Sequence, residues 1–294
     1  MGKILKWIGI VLGGLIVLIV ALVLGLYFVG NGRMTKKYDI QPEAVTIPTD
    51  SAAIERGQHL AEIVGCTDCH GENLGGAEFF NDPAIAVAYA PNLTSGEGGA
   101  GAEFTDADWI LAIRHGIDPH QGRALLIMPA ENYRHLSAED LGAVIAYVKS
   151  VPPVDNETPE PVYGFMGRVL IAAGALSKPF PAEYIDHSSP LPAAPAQGAT
   201  AGYGDYLVRI AGCRSCHGQE LAGGPHPEPG GPPGPNLTPG GSLSGWSEQT
   251  FLAAFRTRQS EWMPLESLSQ MTDDELKAIW LYLQSLPARE TTTK

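Results

Sequence analysis

The chain states one pattern twice. RGQHLAEIVGCTDCHGENLGG at 56–76 returns as YGDYLVRIAGCRSCHGQELAGG at 203–224, and APNLT at 90–94 returns as GPNLT at 234–238. FTDADWILAIRHG at 104–116 then matches WSEQTFLAAFRTR at 246–258. IMPAENYRHLSAEDLGAVIAYVKSVPP at 127–153 matches WMPLESLSQMTDDELKAIWLYLQSLP at 262–287. Four blocks in one order define a duplicated unit. The expected organisation is 1–35 as a start and anchor, 36–51 as a linker, 52–153 as domain 1, 154–201 as a second linker and 202–294 as domain 2.

Each copy predicts three helices and an all-α fold. The first helix places Leu60, Ile63 and Val64, or Leu207, Ile210 and Ala211, at i, i+3, i+4 spacing. The second starts at Thr105 or Ser247 and the third at Ser137 or Thr272, residue types that cap helix N-termini. The third carries Leu141, Val144, Ile145 and Val148, or Leu276, Ile279, Trp280 and Leu283, and stops at Pro152 or Pro287. No segment reads as a strand. With 35 Gly and 24 Pro the loops are long, so something beyond ordinary side-chain packing has to organise them.

The organiser is suggested by Cys66-Thr67-Asp68-Cys69-His70 and Cys213-Arg214-Ser215-Cys216-His217. C-x-x-C-H is the attachment signature of a c-type haem: two thiols meet the vinyl groups of one porphyrin, and the histidine binds iron from below. The rivals fit less well. A thioredoxin-like pair needs a βαβ context, and a zinc ribbon needs its cysteine pairs far closer together. Two separate disulfides leave the repeated histidine unexplained. These are the only four cysteines, too few for a disulfide-built scaffold. The expected cofactors are two covalently attached haems c. Met128-Pro129 and Met263-Pro264 recur in register and are the expected distal ligands opposite His70 and His217; a thioether raises the haem potential. Met271 aligns with Leu136 and reads as core. His115, His120 and His135 lack histidine counterparts in copy two and read as surface or polar-network residues.

On C-x-x-C-H, P-N-L-T, the Met-Pro element and the last helix, the chain resembles the class I cytochromes c, and in particular membrane-anchored dihaem c-type cytochromes with two tandem domains. The resemblance implies thioethers at Cys66, Cys69, Cys213 and Cys216, proximal ligands at His70 and His217, and distal ligands at Met128 and Met263. It implies that the carbonyls of Pro91 and Pro235 accept the proximal histidines' N–H. It also implies a crossing of first and last helices at Gly57 with Tyr147 and Gly204 with Tyr282; a plain helix start is the other reading of those glycines. Arg114 and Arg256, matched on the middle helix, either pair with haem propionates or lie on a solvated face. Trp109 and Phe251 either touch the ring or belong to the core.

Trp7 to Val29 carries no charge and is long enough, at about 1.5 Å per residue, to cross a hydrocarbon layer of about 30 Å. It exceeds the apolar stretch of a cleaved signal peptide and lacks a small-residue cleavage site. Lys3 and Lys6 before it are balanced by Arg33, Lys36 and Lys37 after it, so charge leaves the orientation open. The resemblance implies haem attachment outside the cytoplasm: a single-pass protein with a cytoplasmic N-terminus and periplasmic or other extracytoplasmic domains. Gly9 and Gly13 form a weak helix-packing motif.

The net charge of −13 argues against nucleic-acid binding and suits redox protein partners with basic docking patches, or simply solubility. With both irons expected to be six-coordinate, the chain is expected to carry single electrons at the outer face of the membrane, between a respiratory or dehydrogenase donor and a terminal acceptor. It is not expected to be an enzyme or to bind a small-molecule substrate. The alternatives are an electron-transfer subunit of a larger dehydrogenase and a dihaem peroxidase. The apolar run 166–176 predicts a short helix packed between the domains, or else an incidental helix in a tether. PHPEPGGPPGP at 225–235 reads as a loop insert of copy two.

Overall fold

The computed structural model describes residues 2–176, 178–227 and 230–292. It opens with one continuous helix, α1 (Gly2–Met34), whose apolar stretch is exposed along its length and whose far end is buried at Gly30 and Met34. Domain 1 follows with α2 (Ser51–Ile63), α3 (Cys66–His70), the hairpin β1 (Ala77–Asp82) and β2 (Ala86–Ala90), then α4 (Asp106–His115), α5 (Ala130–Tyr133) and α6 (Ala138–Ser150). The connection to domain 2 holds β3 (Val162–Tyr163), α7 (Phe165–Ala172) and a 3-10 turn at Pro181–Tyr184. Domain 2 repeats the plan with α8 (Ala201–Ile210), α9 (Cys213–His217), β4 (Ala222–Gly224), β5 (Gly234–Asn236), α10 (Glu248–Thr257), α11 (Leu265–Leu268) and α12 (Asp273–Ser285).

The helix starts follow the sequence. Thr105 and Thr272 form capping boxes with Asp108 and Glu275, and Ser137 and Ser247 accept from the backbone N–H three residues on. The predicted apolar stripes are the core: Leu60, Leu141, Ile145, Leu207 and Leu276 are fully buried. Each first helix crosses its last helix at a glycine. A Cβ on Gly57 would stand 1.9 Å from the Ala143 carbonyl oxygen, and one on Gly204 would stand 2.0 Å from that of Ala278. The close approach of two backbones, not a helix start, is what requires glycine there.

Three expectations need correction. Strands are present: β1 and β2 pair antiparallel with a bulge between Glu78 and Phe80, and β3 adds to β2. Their inward positions are Ala86, Ala88 and Ala90, too small and too weakly apolar to advertise an alternating pattern. The segment 225–235 is no insert: it joins β4 to β5 where domain 1 has its β1–β2 hairpin, with Glu228 and Pro229 lying outside the described residues. The helix expected between the domains, α7, packs instead on the end of α1. A Cβ on Gly30 would meet the Arg168 carbonyl oxygen at 1.9 Å, and one on Gly167 would meet that of Ile85 at 2.0 Å. Arg33, just past the apolar stretch, completes the junction by pairing with Glu183 and donating to the Ile171 carbonyl at 2.6 Å.

The two domains meet along a pseudo-twofold seam, in which equivalent residues exchange partners. The His59 ring nitrogen Nε2 lies 2.9 and 2.8 Å from the two Glu275 oxygens, and the matching Tyr206 hydroxyl donates to Asp140 at 2.6 Å. Arg56 bridges Asp140 at 3.1 Å, Glu275 at 3.5 Å and the Tyr203 hydroxyl at 3.0 Å. Burial opposes the Arg56 charge, but Asp140 more than compensates, so its pKa is raised. Asp68 of α3 accepts from Ser267 of α11, while Asn132 of α5 reaches Ser215 of α9 at 3.5 Å. The Cys-x-x-Cys-His helix of each domain therefore faces the turn after Met-Pro in the other.

Candidate haem-binding sites

Each C-x-x-C-H segment forms one short helical turn, entered through a left-handed glycine, Gly65 or Gly212. Among the described residues no disulfide forms. Burial pushes the Cys66 thiol up to about 12 and the Cys213 thiol to about 11. These are neutral sulfhydryls, unlike the activated thiolate of a redox pair.

The histidines are held alike. His70 Nδ1 donates to the Pro91 carbonyl at 2.8 Å, and His217 Nδ1 donates to that of Pro235 at 2.8 Å. Burial lowers both imidazole pKa values, which favours the neutral ring. With the proton on Nδ1, Nε2 presents its lone pair, the state a metal ligand needs.

The asparagine of P-N-L-T fixes that carbonyl. Asn92 is fully buried: its Oδ1 accepts from the Thr94 N–H at 2.9 Å and hydroxyl at 2.8 Å, while Nδ2 donates to Val154 O at 2.6 Å and Asn156 O at 3.1 Å. Asn236 repeats this with the Thr238 N–H and hydroxyl, and donates to Arg289 O at 2.9 Å. The motif thus ties the histidine's acceptor to the chain leaving the last helix.

Met128 and Met263 are partly buried and pack against the same apolar cluster as Cys66, Cys213 and Trp109. Met271 is core at 1% exposure, as read from sequence. Arg114 and Arg256 turn out to be struts engaged by the protein itself, Arg114 buried and Arg256 on an exposed helix face. Arg114, 2% exposed, bonds Glu43 at 3.2 Å, Arg134 O at 2.5 Å and Ser189 O at 2.6 Å. Arg256 bonds Ser269 O at 2.6 Å, Met271 O at 2.6 Å and Asp273 at 3.0 Å. Ser269 and Arg134 are equivalent, so both arginines brace the turn that follows Met-Pro. His115 lies buried in a polar network with Glu43 at 3.1 Å and His187 at 3.0 Å.

The structure also offers what a porphyrin carboxylate takes. Among the described residues the Trp109 indole N–H and Arg123 Nε are buried donors without a hydrogen-bond partner. Arg123 was missed in the sequence because domain 2 offers no counterpart to signal it, and Phe251 replaces Trp109 there. Apolar surroundings, neutral thiols, two imidazoles with Nε2 bare and an orphaned indole donor all fit haem.

A tandem pair of such modules, each with attachment cysteines, a carbonyl-held histidine and an in-register methionine, defines a dihaem c-type cytochrome architecture. The sequence model of the family described as Cytochrome c matches residues 54–152, and that of cbb3-type cytochrome c oxidase subunit III matches 199–283. The chain therefore contains two cytochrome c domains, and each carries one covalently attached haem c. It is 29% identical over 280 residues to the cytochrome c subunit of a quinone-dependent alcohol dehydrogenase from Gluconacetobacter polyoxogenes, covering 83% of this chain and 58% of that one. It is 28% identical to the fructose dehydrogenase cytochrome subunit of Gluconobacter japonicus, covering 83% and 55%. A dihaem c-type cytochrome of Cereibacter sphaeroides is 26% identical and is matched over 87% of this chain and 93% of its own length. The chain thus spans little more than half of the dehydrogenase subunits it resembles.

Proposed function

We propose that this chain is a membrane-anchored electron carrier that passes single electrons between a respiratory or dehydrogenase donor and a downstream acceptor. A haem c in each domain supplies a one-electron iron couple. In this reading Cys66, Cys69, Cys213 and Cys216 form the thioethers, His70 and His217 are the proximal ligands, and Met128 and Met263 are the distal ligands. Pro91 and Pro235 orient the histidines, and Arg114 and Arg256 hold the methionine turns in place.

The observation that carries the proposal is the seam. Reciprocal contacts of α3 with α11 and of α9 with α5 hold the two attachment sites in a fixed relation. A carrier needs such a fixed relation, and a lone binding domain does not. The names of the dehydrogenase cytochrome subunits it resembles support a second reading, in which the chain is the electron-transfer subunit of a larger membrane dehydrogenase. Copurification from solubilised membranes separates the two.

The helix Gly2–Met34 is long and apolar enough to anchor the chain. Extracytoplasmic haem attachment then puts the N-terminus in the cytoplasm and both domains outside. Along one edge of the seam Glu62, Asp68, Glu72 and Glu266 form no ion pair among the described residues, which supports docking of partners through basic patches.

Replacing one axial sulfur tests the ligand set. Met128→His lowers the potential of one haem by on the order of 0.1 V, within the span that axial ligands command, and leaves the other unchanged. Potentiometry followed in the visible bands reads this, and an unaltered spectrum and potential in Met128→Ala refutes the assignment.

A further inference from the structure

The opposite edge of the seam is basic. A polar cleft of about 190 Å³ opens there, lined by Glu131 and Arg134 from the Met128 side of domain 1, Arg209 and Arg214 from domain 2, and Lys178 and Tyr184 from the connection. The fold does not impose this charge. At the pseudo-equivalent edge Ser269 stands for Arg134, Glu62 for Arg209 and Thr67 for Arg214, and no segment corresponds to 178–184. A chain of net charge −13 has gathered four cations in one place.

Asp205 offsets part of that charge, at 2.8 Å from Arg209 and 3.3 Å from Arg214. Among the described residues Arg134 and Lys178 form no salt bridge: Arg134 donates to the Ser189 hydroxyl at 2.9 Å, which in turn donates to Asp186 at 2.8 Å, and Lys178 stands 5.7 Å from the Tyr184 ring centroid with Glu131 within its field. Half-buried His135, also on the lining, feels the remaining field: burial and then Arg134, Arg209 and Arg114 lower its pKa to about 4. Among the described residues two lining groups are buried without partners, a donor at Arg214 Nε and an acceptor at Glu131 Oε2. Burial raises the Glu131 pKa, against the pull of Lys178. An orphaned acceptor among cations is a poor fit to a bare anion and a good fit to an anion that carries a donor.

The cleft lies beside the membrane. Tyr184 follows Glu183, which pairs with Arg33 of α1. Arg33 stands four residues beyond Val29, the last apolar residue of the span, or roughly 6 Å along a helix. The headgroup layer on each side of the hydrocarbon is roughly 5–8 Å deep. Lys178 and Tyr184 therefore stand at headgroup level.

We propose that this cleft binds the headgroup of a membrane phospholipid whose phosphodiester meets Arg134, Lys178 and Arg214 and whose terminal ethanolamine or glycerol group donates to Glu131. The proposal takes its source of lipid from the anchor reading above. A headgroup held there touches domain 1, domain 2 and the connection at once, and so ties the seam to the bilayer.

The test uses the full-length haem-loaded protein, stripped of lipid in neutral detergent. Dihexanoyl phosphatidylethanolamine, phosphatidylglycerol and phosphatidylcholine are titrated separately, and inorganic phosphate is run alongside. Native mass spectrometry reads occupancy. One ethanolamine or glycerol lipid should bind per chain, with the choline lipid, which has no donor, about tenfold weaker. Arg134→Gln with Lys178→Gln should weaken binding about tenfold or more while leaving the visible spectrum intact. Glu131→Ala should erase the preference over choline and retain affinity for the phosphodiester.

Equal binding of all three lipids, or no effect of the double substitution, overturns the proposal. Binding of phosphate as tight as that of the lipids names the free ion as the occupant and overturns it too. Alkaline extraction of the full chain from vesicles tests the anchor separately. Release of the protein there fails the anchor, while the water-soluble short-chain lipids still report on the cleft.

Discussion

At the residue scale, Gly57 and Gly204 do one job that no other side chain can do. The space where a Cβ would go is held by the carbonyl of the crossing helix. Gly57→Val forces α2 off α6, and overpacking of this kind costs about 3 kcal/mol. Because α2 leads directly into the attachment turn, the loss should appear as a lower yield of haem-bearing protein and a lower melting temperature. A variant with wild-type melting removes the close-packing argument. Glycine was legible here because it recurs in register. Arg114 and Arg256 were equally visible, but their partners were not. Whether a guanidinium reaches a carbonyl or a ligand depends on where a loop comes back, and spacing along a chain does not encode that.

At the scale of elements, P-N-L-T shows how one side chain does the work of a ladder. Its asparagine, in the loop after β2 in domain 1 and at the end of β5 in domain 2, is tied to the chain that leaves the last helix. Asn236→Ala leaves the Thr238 N–H and the Arg289 carbonyl without partners, a cost of about 1–3 kcal/mol. It also frees the Pro235 carbonyl to wander from His217, so the second haem alone should show a broadened ligand-field spectrum and faster hydrogen exchange near 234–238. Unchanged exchange there disproves the tether. The hairpin β1–β2 escaped the sequence reading for a physical reason: alanine fills its buried positions, so hydrophobicity hardly alternates along it. The helix α7 was legible as a helix but not as the seat of α1, since its glycines signal close approach without naming the partner.

At the scale of the whole molecule, the seam is built from charged groups of both domains and answers to pH. Burial alone would raise the Glu275 pKa; the His59 contact and the Thr272 N–H override it and hold the carboxyl at about 2, against an ordinary 4.5. A depressed folded pKa contributes stability that is present above the ordinary value and lost as pH falls through the folded one. Between about pH 4.5 and 2 the molecule should therefore lose on the order of 2 kcal/mol at this site. Calorimetry across that window should show the single unfolding transition moving down and separating into two as the domains part. Glu275→Gln should start from a weaker seam and show a shallower acid dependence; an identical slope would show that Glu275 does not govern it.

The sequence by itself determined the duplicated helical module, the two C-x-x-C-H motifs, the helix starts and the apolar span. Each of these rests on local periodicity, on capping chemistry or on a motif a few residues long. Only the tertiary structure decided that Arg114 and Arg256 brace the methionine turns, that α7 grips the anchor, and that Arg56, His59, Asp140 and Glu275 join two domains. The same is true of the opposite charges at the two ends of the seam. These contacts unite residues distant along the chain, and their energy depends on burial and distance, quantities that come into being only when the two copies fold against each other.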